Sequence, residues 1–184
     1  MYQLPSIDEF KTQSPKEQKQ VYDHLFEPCD SVTWLIDTFV IHQNFKTYPE
    51  FIELVRSRLI QTLNQASFFE SRNGKDCNTL IENIISAHPR LGAPKGTALS
   101  EHSSEEQKKL EGIQVKLQEL NTKYEQTFPG LRYVVFVNGR SRDEIITNME
   151  ERIKRNNIEM EKLDALEAMC DIALDRATKL GVKL

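Results

Sequence analysis

Three places in this chain carry side chains whose type and setting could do chemistry. His88 follows the apolar pair Ile84 and Ile85 and precedes Pro89. Proline has no amide donor and disfavours helical geometry in the residue before it, so a helix must stop here. An imidazole held on that stop, with an ordinary pKa of about 6.5, can give or take a proton near neutral pH. The same position also suits a histidine that only complements a helix C-terminus. Ser103, Glu106 and Gln107 form the second place. Ser103-x-x-Glu106 has the spacing of a capping box, in which both side chains bond to free amides at a helix start. A helix start also attracts anionic groups, so Ser103, Gln107 and the amides could hold a carboxylate or imide oxygen while Glu106 orients an imidazole. The two readings are not exclusive. Arg176 is the third place, because it continues an apolar stripe through Ala165, Met169 and Ile172. A guanidinium aimed along such a face snorkels outward, pairs with Asp175 or another acid, or offers its planar fork to a substrate carboxylate. Arg152 is expected to face solvent or Glu neighbours on a polar helix side, in a structural part.

Other chemistries find little support. The four histidines, His24, His42, His88 and His102, show no HxxxH spacing and no CxxC beside them, so no metal site is expected. Neither GxGxxG nor GxxxxGK[ST] occurs, which removes the usual signatures for dinucleotides and nucleoside triphosphates. The expectation is a protein without cofactor. Cys29, Cys77 and Cys170 are odd in number and widely spaced, as befits reduced thiols in packing roles. With 24 Lys+Arg against 28 Asp+Glu the formal charge is −4, against a general nucleic-acid or anionic-membrane surface. No run of about 18 apolar residues is present, and residues Met1 to Pro5 lack the basic and apolar regions of a signal peptide.

The elements that must position these residues read as helices. At 184 residues the expectation is one domain spanning 1–184, and 7 Gly with 7 Pro leave little material for the turns of a β-sandwich. Ser14-Pro15-Lys16-Glu17, Thr47-Tyr48-Pro49-Glu50 and Ser141-Arg142-Asp143-Glu144 are capping boxes, each followed by apolar residues at helical spacing. A short helix is expected around Trp34 to Val40, a turn at Ser71 to Gly74, and a helix capped by Asp76 that carries Leu80, Ile81, Ile84 and Ile85. Residues Arg90 to Ser100 form a loop. Leu110, Ile113, Leu117, Leu120, Tyr124 and Phe128 predict one long helix from Ser103 to Phe128. Leu131 to Val137 has strand composition but no partner strand, so it is expected as an extended piece laid across helices. A final helix begins near Ile158. The fold class expected is all-α, with about seven to nine helices.

Taken together, Ala87-His88-Pro89-Arg90-Leu91-Gly92, then Leu99 to Gln107 (LSEHSSEEQ), then Leu120-Asn121-x-x-Tyr124-x-x-x-Phe128 resemble the 2-oxo-4-hydroxy-4-carboxy-5-ureidoimidazoline (OHCU) decarboxylases. That family's pattern is an HPxLxG loop, a [ST]xxSxxEQ helix start, an LNxxYxxxF helix, an extended apolar segment and a closing helix with IAxxRL. The resemblance runs from about Leu4 to Leu180, and the order of five separate pieces makes it specific. Arg90 stands where many members have Asp, Gly92-Ala93-Pro94-Lys95 replaces an AGK-like run, and Phe128 to Val137 replaces an FGFPF-containing form. The departures in the loop after His88 look like the fungal branch.

The resemblance implies an all-α fold, commonly a homodimer, that converts OHCU to (S)-allantoin in urate degradation without metal or organic cofactor. It implies His88 and Glu106 as catalytic residues, and Pro89, Ser103, Gln107, Tyr133, Val134, Val135 and Arg176 as substrate-binding residues. The last three residues, Val182-Lys183-Leu184, resemble a peroxisomal SKL signal with Val in place of Ser, so the expected location is peroxisomal or cytoplasmic. Two rival functions are a non-catalytic helical interaction module, which predicts no polar pocket between the His88 loop, the Ser103 helix start and the last helix, and a hydrolase of the same ureide pathway.

Overall fold

Helix starts in this chain are written by their caps. In a computed structural model that describes residues 2–66, 77–93, 98–110 and 112–181, Ser6 and Glu9 bond reciprocally to open α1 (Ile7–Thr12). Ser14 and Glu17 do the same for α2 (Pro15–Phe26), with Pro15 at the first helical position where its missing amide is not needed. Helix α3 spans Asp30–Phe39, and α4 (Tyr48–Ala66) starts where the Thr47 hydroxyl accepts the Glu50 amide. Helix α5 is Cys77–Ser86. The turn expected at Ser71 to Gly74 and the Asp76 cap lie outside the described residues.

Helix α6 (Glu101–Gln107) is followed by a single 3-10 turn at Lys108–Leu110 and then by α7 (Gln114–Thr127). The long helix expected from Ser103 to Phe128 is therefore two helices. Gly112 has φ 94°, a left-handed conformation that costs glycine little and breaks helical hydrogen bonding. Leu110, Leu117, Leu120, Tyr124 and Phe128 are buried all the same, because both pieces turn one face to the same core. Helix α8 (Arg142–Arg155) opens with the Ser141/Glu144 capping box and ends at Asn156 in the left-handed region, and α9 (Ile158–Lys179) follows at once. Among the described residues there are thus nine α-helices and no strand.

Helix α9 is the axis of the molecule. Its alanines at 165, 173 and 177 allow close approach, and it packs against α2, α4 and α5, while α7 packs on α8. Residues 131–137 cross the helices in extended form with Leu131, Tyr133, Val134, Val135 and Val137 buried. The strand-like composition of this stretch reflects burial on both faces rather than a ladder. No disulfide joins Cys29, Cys77 and Cys170.

Candidate active site

Helix α5 ends in a tightening turn, with the Ala87 amide on the Asn83 carbonyl and the His88 amide on the Ile85 carbonyl at 3.2 Å. The backbone beyond is tethered from two other elements. Arg132 donates to the His88 carbonyl at 3.1 Å, and the buried Asn121 amide donates to the Leu91 carbonyl at 2.9 Å. Gly92 then adopts φ 67°, and a Cβ there would lie 2.9 Å from Leu117. His88 is thereby fixed, and it is 4% exposed. Neither ring nitrogen has a hydrogen-bond partner. Burial, reinforced by the Arg176 charge, pushes the imidazole down to about 4, with Glu27 and the nearby Ile84 carbonyl opposing in part. At neutral pH it is an uncharged base.

Arg176 lies 1% exposed at the centre of an ionic cluster. Its Nε donates to Glu106 Oε1 at 2.8 Å and its Nη2 to Glu106 Oε2 at 3.0 Å, a two-pronged pair. The same Nη2 reaches Glu27 Oε1 at 2.7 Å and the Ser103 hydroxyl at 3.3 Å, and Nη1 reaches the Leu25 carbonyl at 3.5 Å. Burial alone would lower the guanidinium, but its bonds to Glu106 and the two carboxylates hold it above its ordinary value. Of the readings open for Arg176 in sequence, pairing with acids is the one observed, though the acids are Glu106 and Glu27 rather than Asp175.

Glu27 is the residue that sequence reasoning missed. It is the C-cap of α2, with φ 68° and ψ 151°, a region that non-glycine residues rarely visit. That conformation turns its carboxylate inward, where Oε1 accepts from the Ser103 hydroxyl at 2.5 Å and from Ser100 at 3.0 Å. Burial would raise its pKa, but Arg176 and Ser103 hold it below the ordinary carboxylate value. The only sequence signal was an acid before Pro28, which is a weak one.

Two expectations about the helix start are corrected here. Ser100, not Ser103, caps α6, its hydroxyl accepting the Ser103 amide at 3.1 Å. Ser103 sits one turn further in, buried, with its hydroxyl between Glu27 and Arg176. Glu106 does not orient His88, since its carboxylate is bound to Arg176 and His88 has no partner. The histidine is placed by its backbone.

A cavity of about 310 Å³ gathers the candidates. His88, Pro89, Ser103, Glu106, Gln107, Tyr133, Val134, Val135 and Arg176 all line it, although they come from four separate stretches of chain. Gln107 accepts the Ala93 amide through Oε1 at 3.3 Å, so its NH2 group is the part left to donate into the cavity. Asn138, Asp175 and Lys179 stand among the lining groups, with Lys179 and Asp175 paired at 2.5 Å. Of the two settings expected for Arg152, solvent or Glu neighbours, it takes the second, but in the interior: it is buried behind the extended segment, bonded to Glu161 at 2.8 Å and to the Val134 carbonyl at 2.9 Å. A polar helix face became an interior one because Glu161 of α9 is buried opposite it.

The arrangement offers a buried imidazole base, a carboxylate acceptor held by a guanidinium, and the Gln107 amide donor around a small cavity. That set suits a compact polar ring with both N–H and carbonyl groups. Among the described residues no group of three His, Cys, Asp or Glu is placed to hold a metal ion, and no helix is long and apolar enough to cross a membrane. A family model described as OHCU decarboxylase matches residues 11–178. No curated protein matches the chain.

Proposed function

The chain belongs to the OHCU decarboxylase family, and from that premise we propose that it releases carbon dioxide from OHCU to give (S)-allantoin, in the degradation of urate, using no cofactor. The observation that carries this reading is the buried His88, its nitrogens unpartnered, in the wall of a cavity that also holds Glu106, Gln107 and residues 133–135.

In OHCU, C4 bears a hydroxyl and a carboxylate, and the adjacent C5 is double-bonded to a ring nitrogen. When the bond from C4 to the carboxylate breaks, its electron pair moves into a C4–C5 double bond and the imine nitrogen takes the charge. The substrate carries its own electron sink. His88 accepts the 4-hydroxyl proton as C4 becomes a carbonyl, then returns it to C5, and the ring nitrogen takes one proton from water. Return from one fixed side gives one enantiomer. Glu106, held by Arg176, accepts from ring or ureido N–H groups, and Gln107 donates to a ring oxygen. Arg176 contributes by fixing Glu106, to which its Nε and Nη2 are both bonded. OHCU also decays unaided, so the protein's contribution is rate and handedness, both of which need fixed geometry.

A non-catalytic module predicts no polar cavity at this position, which the His88 cavity disfavours. Freshly oxidised urate incubated with the protein is expected to develop the circular dichroism of (S)-allantoin. If both the rate of OHCU loss and the optical purity match the protein-free reaction, the reading is wrong. It also carries a homodimer, to be checked by light scattering, and a peroxisomal or cytoplasmic location; Val182-Lys183-Leu184 lie outside the described residues.

A further inference from the structure

Behind the wall of the cavity, Arg152 of α8 bridges a backbone carbonyl and a buried carboxylate. Its Nη1 donates to Val134 O at 2.9 Å and its Nε to Glu161 Oε2 at 2.8 Å, while the guanidinium carbon lies 4.8 Å from the centre of the Tyr133 ring. Glu161 is wholly buried, and is fixed in turn by the Tyr124 hydroxyl at 2.7 Å and by Arg155 at 2.5 Å. Buried charge is a poor source of stability, since desolvation offsets most of the attraction. What the pair supplies instead is a rigid support.

The wall it supports is one chain thick. Val135 and Phe136 line both the cavity that holds His88 and a second hollow on the far side that holds Arg152. The peptide bonds are trans, and across a trans peptide the carbonyl of one residue and the amide of the next point in opposite directions. Fixing the Val134 carbonyl toward Arg152 therefore turns the Val135 N–H away from Arg152, toward the side on which Val134 and Val135 line the His88 cavity. That N–H meets no protein acceptor among the described residues.

We propose that Arg152 is a positioning residue, which by holding the Val134 carbonyl aims the Val135 amide at a carbonyl oxygen of a cyclic ureide bound in the cavity. The class of ligand rests on the decarboxylase reading; the direction of the amide does not. An amide already aimed at an oxygen where charge develops needs no rearrangement during reaction, and it is supported here from outside the cavity.

Two variants test it. Arg152→Lys keeps the charge beside Glu161 but has no planar fork to reach both Glu161 and the Val134 carbonyl. Arg152→Met with Glu161→Gln leaves no lone buried charge, and guards against loss of folding. The Val135 amide resonance is followed by NMR during titration with allantoin, and turnover of fresh OHCU is measured per folded molecule. In the wild type the resonance is expected to shift, and in both variants the shift is lost. Their kcat/KM falls roughly tenfold or more with the acidic limb of its pH profile unmoved, because His88 is untouched. A merely structural role lowers the melting temperature and leaves kcat/KM per folded molecule unchanged, and that result overturns the proposal. So does a wild-type Val135 amide that ignores allantoin. A wild type that binds allantoin through Val135 yet does not turn over OHCU overturns the decarboxylase reading and leaves this proposal standing.

Discussion

Arg176 and Glu106 face one another through two hydrogen bonds, at 2.8 and 3.0 Å, across the floor of the cavity. The third partner, Glu27, takes the remaining direction of the same Nη2 at 2.7 Å. One cation thus stands against two carboxylates, and removing it would strand both. Arg176→Met is expected to destabilise the fold by about 3–5 kcal/mol, the usual consequence of leaving buried charge unpaired. The triple variant Arg176→Met, Glu27→Gln, Glu106→Gln is expected to regain most of that stability and none of the activity. Urea unfolding of the two variants checks this; a triple variant as unstable as the single one would show that charge is not the cause.

His88 is a site where the fold is not optimised for its own stability. A polar ring buried without a partner is unfavourable by about 1–3 kcal/mol, which a leucine avoids. His88→Leu is therefore expected to melt a few degrees higher than the wild type while losing stereoselective turnover. Calorimetry and the optical purity of the product read the two effects separately. Retained enantiomeric excess in this variant would remove His88 from the mechanism.

The low pKa of His88, about 4, makes a second prediction about the same residue. Between about pH 6.5 and 4 the unfolded chain protonates this histidine and the folded chain does not. Stability therefore falls as the pH drops through that window, by about 3 kcal/mol in total from this group. His24 and His102, also lowered chiefly by burial, add to the same slope. Urea unfolding at pH 7 and pH 4.5 is expected to show a larger loss for the wild type than for His88→Leu. Equal losses would mean the histidine is not buried uncharged. In kinetics the acidic limb of kcat/KM is expected near pH 4 rather than 6.5.

Gly92 sets the path of the loop after His88. An alanine there meets Leu117 at 2.9 Å and is forced to φ 67°. Gly92→Ala is expected to destabilise by about 1–3 kcal/mol and to lower activity by shifting the His88 backbone. Adding Leu117→Ala relieves the contact but not the dihedral, so recovery in the melting temperature is partial. Full recovery would place the whole effect in the clash.

The sequence is legible where local rules decide. Capping boxes at Ser14 and Ser141, Pro89 after α5, and the unpartnered 131–137 stretch all follow from single segments. His88, Ser103, Glu106, Gln107 and Arg176 reach one cavity as expected, but their partners are another matter. Ser100 and Ser103 compete for the same cap with nearly equal local merit, and only the position of Glu27 makes Ser103 the buried one. Arg152 has solvent and glutamates beside it on its own polar helix, and the acid it pairs with belongs instead to α9. Gly112 breaks a periodic pattern that apolar spacing alone cannot interrupt. Each of these misses depends on a contact that no single window of sequence contains.

The distance along the chain between Glu27 and Arg176 has a consequence for how the site comes into being. The two are 149 residues apart, while Arg176 and Glu106 are 70 apart and Ser103 and Glu27 76 apart. During synthesis both carboxylates leave the ribosome well before the guanidinium that must neutralise them. Closing contacts of such long range is slow and late, whatever order the helices form in. The cavity is therefore expected among the last features to assemble, and its ionic floor to report the docking of α9 rather than of any earlier helix.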